Sequence, residues 1–291
     1  MRSLIKKIKN DFIYISVRLL LFLFKISPGV LNRLFLRFIV LLAMRLPIRE
    51  NRIARVNLGL YFAKRDAERI FREMYLHWAR CIEELIEVQL KGRDIEHLAI
   101  ISDESRRVLN QALKEKRGVI YFTAHLGNWE LMALTLAKEG YDINTIANRS
   151  YDPRFTEMIK RFREGNKVKC IFRGEEQIVE KIKAVLSRNA IMGFLIDQNT
   201  KVPSIMVNFI GRAAPTPITP VKILKETNAV PVVGFNHRIN NKVITEVRRV
   251  EFSGDEDEKL ILERINDILS QEIMKFPCEW IWIHNRWNIS C

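Results

Sequence analysis

The amino-acid sequence predicts an α/β fold in which a mainly parallel sheet is flanked by helices, with an N-terminal membrane-associated helical arm. Short runs of β-branched and aromatic residues recur along residues 66–291, and helical apolar patterns separate most of them. Parallel strands with helices on the sheet faces are the natural solution to that alternation. The apolar and strongly basic character of residues 1–65 predicts the arm. We therefore expect an arm over residues 1–65 and one α/β domain over residues 66–291.

The positive charge of the chain is concentrated in the arm. Residues 1–65 contain 14 Lys and Arg against Asp11 and Glu50, a net charge of +12, whereas the other 226 residues carry +2. A folded nucleic-acid reader would need a basic face within residues 66–291. The charge distribution therefore argues against nucleic-acid binding and favours contact with an anionic membrane surface.

Two apolar runs in the arm predict a helical hairpin. They cover residues 12–24 and 31–44 and are separated by a Ser-Pro-Gly break. Arginines interrupt both runs, and an arginine near the centre of a bilayer costs about 2.5–3.5 kcal/mol on insertion scales. We therefore favour a hairpin that lies in the membrane interface with its arginines reaching the headgroups, and keep one spanning helix as the alternative.

Residues 66–291 show alternating helical and strand patterns. The first helix, over residues 66–90, carries an apolar stripe at helical spacing. Strands are predicted over residues 98–101, 118–124, 142–147, 168–172, 191–196, 205–210, 230–236 and 242–250. Further helices are predicted over residues 104–116, 128–139, 154–164, 175–187, 217–227 and 256–274.

The cysteines give no sign of a metal site or a disulfide framework. Cys81, Cys170, Cys278 and Cys291 form no Cys-x-x-Cys pair and no regular spacing. We interpret them as reduced, mostly buried thiols and expect no metal.

A histidine and a glutamate follow the strand predicted over residues 118–124. His125 comes directly after that strand, and Glu130 follows a Gly-Asn break in the first turn of the next helix. Open α/β sheets place their ligands at the carboxyl ends of strands. We therefore predict that His125 acts as a general base and that Glu130 folds back to fix its tautomer. A structurally satisfied histidine is the alternative interpretation.

The segment His125-Leu-Gly-Asn-Trp-Glu130 resembles the His-x4-Asp/Glu motif of the lysophospholipid acyltransferase superfamily, and in particular its lipid A biosynthesis branch, the lauroyl/myristoyl acyltransferases. Other segments resemble that branch in the same order along the chain. They are Arg52-Ile-Ala-Arg55-Val-Asn57, Ala147-Asn148-Arg149, Phe194-Leu-Ile-Asp197-Gln198, Val207-Asn-Phe-Ile-Gly211 with Ala213 to Thr216, and Glu279-Trp280-Ile-Trp282-Ile-His284-Asn-Arg286.

The resemblance implies transfer of a fatty acyl chain, at the cytoplasmic face of an inner membrane, to a hydroxyl of a lipid A precursor. The donor would be the thioester of acyl carrier protein or of coenzyme A, with no other cofactor. His125 and Glu130 would be catalytic, and Arg149, Asn128, Asp197 and Gln198 would bind substrate.

Several alternatives remain open. The same dyad could acylate another lipid, such as a lysophospholipid or a phosphoinositide mannoside, and a basic membrane-binding protein without catalysis is the non-enzyme alternative. Arg149 could equally form a surface salt bridge, and Asp197 and Gln198 could serve a turn. We interpret the C-terminal Trp, His and Arg residues as packing.

Overall fold

The computed structural model describes the backbone of residues 2–289 and the side chains of residues 6–289; Cys291 lies outside the described residues. The helices are α1 (Arg2–Ile26), α2 (Gly29–Ala43), α3 (Arg49–Gly59), α4 (Lys64–Gln89), α5 (Asp103–Lys114), α6 (Trp129–Lys138), α7 (Pro153–Glu164), α8 (Ile178–Ser187), α9 (Thr219–Thr227) and α10 (Glu258–Lys275). The strands are β1 (Ala99–Ile101), β2 (Val119–Thr123), β3 (Ile143–Ala147), β4 (Val168–Phe172), β5 (Ile191–Leu195), β6 (Ser204–Phe209), β7 (Arg212–Pro217), β8 (Val230–Ile239) and β9 (Lys242–Arg249).

Seven strands form one sheet in the order β1-β9-β8-β2-β5-β3-β4. Five of its six neighbouring pairs are parallel, and β8 with β9 is the antiparallel pair. The predicted fold class, a mainly parallel sheet flanked by helices, is therefore confirmed. β2 lies near the centre of the sheet, with β8 on one side and β5 on the other.

The central strand β2 is apolar on both faces because helices cover both. Ile120 and Phe122 belong to one hydrophobic cluster, whereas Val119 and Tyr121 belong to a second cluster across the sheet. All four are at most 3% exposed. The period-2 alternation of side chains thus divides a continuous apolar run between two cores.

A second, two-stranded sheet consists of the antiparallel hairpin β6–β7. Sequence patterns predict β6 but miss β7, because Pro215 and Pro217 argue against a strand. A proline is tolerated here because the hairpin has only two strands, so each strand leaves one edge that needs no donors. The hairpin turns at Ile210 and Gly211, both with positive φ.

The arm is helical, and its helices lie against the α/β domain. α1 and α2 are joined at Ser27 and Pro28, as the predicted hairpin requires. α2 packs along α4 and buries Leu36 and Val40 there, while Arg33 pairs with Glu83 at 2.8 Å. The predicted boundary between arm and domain, at residue 65, falls in the first turn of α4.

Much of the apolar surface of α1 and α2 faces outward. Phe12 is 72% exposed, Phe22 56%, Leu31 56% and Phe38 57%. Over the residues that the structure describes, none of the helices combines the length and the apolarity that crossing a bilayer would require.

Candidate active site

Polar side chains follow four neighbouring strands at the same edge of the main sheet. His125 and Asp197 each stand two residues after the end of β2 and β5, and Arg149 stands two residues after β3. Arg173 directly follows β4. Because these four strands are parallel, their carboxyl ends meet at one edge. This edge holds the candidate active site.

His125 forms a close pair with Asp197. Its ring Nδ1 lies 2.8 Å from Asp197 Oδ1, and its backbone N–H donates to Asp197 Oδ2 at 2.9 Å. The ionised carboxylate can only accept, so the neutral imidazole carries its proton on Nδ1 and leaves Nε2 as a proton acceptor. The side chain of His125 is 20% exposed. The pair therefore presents one basic nitrogen to the solvent-accessible side of the sheet edge.

Asp197 is completely buried yet remains charged. Burial alone would raise the pKa of its carboxyl group, but the nearby His125 and the hydrogen bonds from His125 and the Trp280 indole outweigh burial and lower the pKa below the ordinary value. The Trp280 Nε1–H donates to Oδ2 at 2.8 Å. A buried anion with three donors is held in one orientation.

The structure gives Glu130 a different partner from the predicted one. Its carboxylate receives two hydrogen bonds from the guanidinium of Arg163 in α7, through Nε at 3.0 Å and through Nη2. Burial lowers the pKa of the Arg163 guanidinium, but the hydrogen bonds and the charge of Glu130 raise this pKa by more, so the net shift is upward. The carboxylate that orients the imidazole thus belongs to Asp197, and this corrects the orienting role that we predicted for Glu130.

The helix geometry explains the correction. Glu130 follows Trp129 in the first turn of α6, and consecutive helical residues point about 100° apart. Trp129 places its ring edge-on to the imidazole of His125, with ring centroids 5.0 Å apart. Glu130 is thereby directed toward Arg163 in α7, and its part in catalysis stays a prediction.

Asn128 caps α6 and anchors it to α4. Its Oδ1 accepts the backbone N–H of Leu131 at 3.1 Å, and its Nδ2 donates to Glu84 Oε2 at 3.0 Å. The residue is 3% exposed, and its backbone oxygen accepts from Asn236 Nδ2 at 2.8 Å. These contacts occupy the side chain, so this placement does not support the predicted substrate contact at Asn128.

The turn that carries His125 depends on Gly127. This residue has a φ of +65°, and a Cβ placed there would lie 1.8 Å from Asn236 Oδ1. The Gly127 N–H donates to the Glu279 carbonyl at 3.0 Å, and Leu126 forms an antiparallel bridge with Trp280. Only glycine accommodates both the left-handed backbone and the close approach of β8.

Gln198 and Arg149 stand at the same edge of the sheet, Gln198 partly exposed and Arg149 exposed. Gln198 Nε2 is 3.5 Å from His125 Nε2, next to the predicted proton acceptor. Arg149 is exposed, and its guanidinium lies over the ring of Phe172 with its carbon 5.8 Å from the ring centroid. β3 is two strands from β2, so at about 4.8 Å per strand Arg149 begins roughly 10 Å from the end of β2.

The C-terminal segment forms one wall of the site. Trp280, Trp282 and Arg286 are completely buried, as the packing interpretation predicts. Arg286 Nη2 donates to Thr216 Oγ1 at 2.7 Å in the β6–β7 hairpin, and burial lowers the pKa of Arg286 to about 10. Sequence reasoning missed the bond between Trp280 and Asp197, and the acceptor lies 83 residues away along the chain.

A comparison with protein families identifies the relationship. The model of the bacterial lipid A biosynthesis acyltransferase family matches residues 2–288. The chain belongs to this family. The match covers the arm as well as the α/β domain, and the resemblance inferred from the sequence is thus confirmed.

Curated relatives of this acyltransferase family member include two phosphatidylinositol mannoside acyltransferases. The protein from Mycolicibacterium smegmatis is 24% identical over 209 residues, which is 68% of this chain and 62% of the relative. The protein from Mycobacterium tuberculosis (strain H37Rv) is 22% identical over 181 residues, 62% of this chain and 57% of the relative. The chain thus spans about three fifths of the length of these relatives.

Proposed function

We propose that this protein transfers a fatty acyl chain from an acyl thioester to a hydroxyl of a phosphorylated glycolipid, with the His125–Asp197 pair as the general base system. The observation that carries the proposal is the imidazole whose Nδ1 is held by a fully buried carboxylate while Nε2 faces the open edge. A histidine in this arrangement is suited to remove a proton from an alcohol. Family membership supports the same chemistry.

The proposed reaction moves one proton to His125, transfers the acyl group, and then moves that proton to the leaving thiolate. His125 Nε2 takes the proton of the acceptor hydroxyl while the oxygen attacks the thioester carbonyl carbon and forms a tetrahedral oxyanion. The oxyanion collapses, the carbon–sulfur bond breaks, and the leaving thiolate takes the proton from Nε2. Asp197 stabilises the imidazolium in between, and no acyl-enzyme forms.

Two further side chains have proposed roles at this edge. Gln198, 3.5 Å from His125 Nε2, would contact the reacting oxygen or the thioester. Arg149 would bind a phosphate of the acceptor or stabilise the oxyanion through charge-assisted hydrogen bonds. Its exposure at this edge supports the phosphate role.

The first acceptor that we propose is a lipid A precursor, and the family supports it. A phosphoinositide mannoside is the second candidate, because the curated relatives named above are described as phosphatidylinositol mannoside acyltransferases. Both acceptors present a sugar hydroxyl beside a phosphate, which suits a base at one strand end and an arginine two strands away. The donor would be a thioester of acyl carrier protein or coenzyme A.

The arm would hold the protein at the cytoplasmic face of an inner membrane. Its outward apolar side chains and the basic Lys6, Lys7 and Lys9 fit an interfacial position on anionic lipid. α1 also contacts α7, where Asp11 pairs with Arg154 at 2.7 Å. The arm therefore lies beside the helix that follows Arg149, and an acceptor held in the membrane would approach the site from this side.

The activity can be tested with purified full-length protein in nanodiscs. Acyl carrier protein and coenzyme A thioesters would each be offered with a lipid A precursor, a phosphoinositide mannoside and lysophosphatidic acid, and products read by mass spectrometry. We expect acyl gain on a glycolipid, poor transfer to lysophosphatidic acid, and a loss of about 100- to 10,000-fold in His125→Ala. Wild-type rates in a folded His125→Ala protein would contradict the mechanism.

Membrane attachment needs a test that keeps the fold, because α2 buries core residues against α4. In the full-length protein, Phe12→Ser with Phe22→Ser should weaken binding to anionic vesicles, whereas Leu260→Ser, which changes a 51% exposed apolar residue on α10, should not. High salt should release little wild-type protein, because buried apolar contacts are not screened. Complete release by salt would show that the attachment is electrostatic.

A further inference from the structure

Trp280 contacts the His125–Asp197 pair although it lies 83 residues after Asp197 along the chain. Its side chain is fully buried, and its indole N–H donates to Asp197 Oδ2 at 2.8 Å. Its backbone pairs with Leu126 in an antiparallel bridge, while the neighbouring Glu279 carbonyl accepts the Gly127 N–H at 3.0 Å. One C-terminal segment therefore contacts both the turn that carries His125 and the carboxylate that orients it.

We propose that Trp280 is a positioning residue whose indole N–H holds the Asp197 carboxylate against His125 and favours the form of the pair in which the imidazole is neutral. The inference rests on the proposed function of that pair. Its physical basis is that an N–H donor stabilises the carboxylate most when no positive charge lies beside it. The indole thus favours the anionic pair with a neutral imidazole, which is the form that can accept a proton, over the neutral pair with an imidazolium.

Packing alone does not account for the indole nitrogen. Trp280 lies in an aromatic cluster with Phe209, Trp282 and Trp287, with ring centroids 4.8–6.1 Å apart. A phenylalanine would keep most of those contacts and the backbone bridge to Leu126. Phenylalanine lacks the indole N–H that donates to Asp197. Trp280→Phe therefore removes this hydrogen bond while most of the packing remains.

Trp282 provides a matched control. It is equally buried in the same cluster, and its indole N–H donates at 2.7 Å to a backbone carbonyl, that of Pro277, and not to a carboxylate. Among the residues that the structure describes, His284 and Arg286 are charged or titratable groups that also act on the pair. Both groups are unchanged in Trp280→Phe and Trp282→Phe. A difference between the two variants therefore comes from the hydrogen bond between the Trp280 indole and Asp197.

The first experiment measures kcat/KM for acyl transfer as a function of pH. In Trp280→Phe the acid limb should move upward by about 0.5–1 pH unit, because losing a donor to a charged group favours the protonated pair. In Trp282→Phe the limb should stay in place even if stability falls. An unmoved limb in a folded Trp280→Phe protein, or equal movement in both variants, would overturn the proposal.

A second measurement uses the wild-type protein and Asp197→Asn, so it depends neither on acyl transfer nor on whether a Trp280 variant folds. In nitrogen-15 spectra of the full-length protein, the Trp280 indole N–H signal should shift with the protonation of the pair and move strongly in Asp197→Asn. The Trp282 signal should do neither. A Trp280 signal indifferent to Asp197→Asn would refute the inference, whereas a wild-type protein without transfer activity would refute the proposed function and leave this readout standing.

Discussion

Replacing Asp197 by Asn should remove most of the acyl transfer while leaving the imidazole in place. Asp197 Oδ1 faces His125 Nδ1 at 2.8 Å, and Oδ2 accepts two N–H groups, from the His125 backbone at 2.9 Å and from Trp280 at 2.8 Å. Asparagine offers one acceptor oxygen and one NH₂ group. The oxygen should take the Oδ2 position, because two fixed donors point there, so the NH₂ group faces Nδ1. Nδ1 must then accept, the ring proton moves to Nε2, and the catalytic lone pair is lost.

The magnitude follows from the role that is removed. General base catalysis contributes about 100- to 10,000-fold, and an Asp-to-Asn change that imposes the wrong tautomer in a Ser-His-Asp triad costs about 10,000-fold in kcat. We therefore expect kcat to fall by about 1,000-fold or more. The amide is neutral and nearly the same shape, so burial in this position should leave the fold intact.

Glu130→Gln is the comparison that decides which carboxylate orients the imidazole. The change removes the ion pair with Arg163, whose side chain is 16% exposed, but leaves the contact between Asp197 and Nδ1 untouched. We expect a loss of less than about tenfold in kcat. Initial rates with one acyl donor and one glycolipid, measured by mass spectrometry beside circular dichroism spectra, would compare the variants. Equal losses, or wild-type rates in a folded Asp197→Asn protein, would refute the assignment.

Three other substitutions test features around the site. Gly127→Ala should lower the free energy of unfolding by about 1–3 kcal/mol in denaturant titrations, because the added Cβ meets Asn236 and φ is +65°; an unchanged midpoint would contradict the close approach. Arg149→Lys should raise KM for a phosphorylated glycolipid about tenfold with little change in kcat, because lysine cannot form the paired hydrogen bonds of a guanidinium. Burial raises the pKa of Glu279 from the ordinary value of 4.5 to about 7. Ionising it therefore costs native stability as pH rises from 4.5 to 7, so Glu279→Gln should stabilise the fold by up to about 3 kcal/mol at pH 8 and little at pH 4.

The strands of the main sheet could be predicted because a short run of apolar residues is enough to indicate each of them. The run over residues 118–124 and the residues after it place His125 at a strand end without any knowledge of its neighbours. The same holds for Asp197 after β5. β7 could not be predicted, since Pro215 and Pro217 are compatible with a strand only where a two-stranded hairpin leaves their edge unpaired.

The partner of His125 could not be settled by spacing. Glu130 is five residues away and Asp197 is 72, and a motif read along the chain favours the near residue. The pairing is decided by the parallel register of β2 and β5, in which the last residues, Thr123 and Leu195, lie side by side. His125 and Asp197 each come two residues after these strand ends. Strand order is a non-local property, and a single sequence does not state it.

The C-terminal wall of the site packs against a helix that lies far away along the chain, and this determines when the site is completed during synthesis. Asn57 in α3 donates through Nδ2 to the carbonyl oxygens of Trp282 and His284, 225 and 227 residues later. Residues 280–286 leave the ribosome after the other residues of the site, and bringing them back to α3 closes a loop of more than 200 residues. A nascent chain shorter than 280 residues therefore lacks both the bridge to Leu126 and the indole donor to Asp197. Until that segment is made and packs against α3, the turn that carries His125 is unsupported and Asp197 has two donors instead of three.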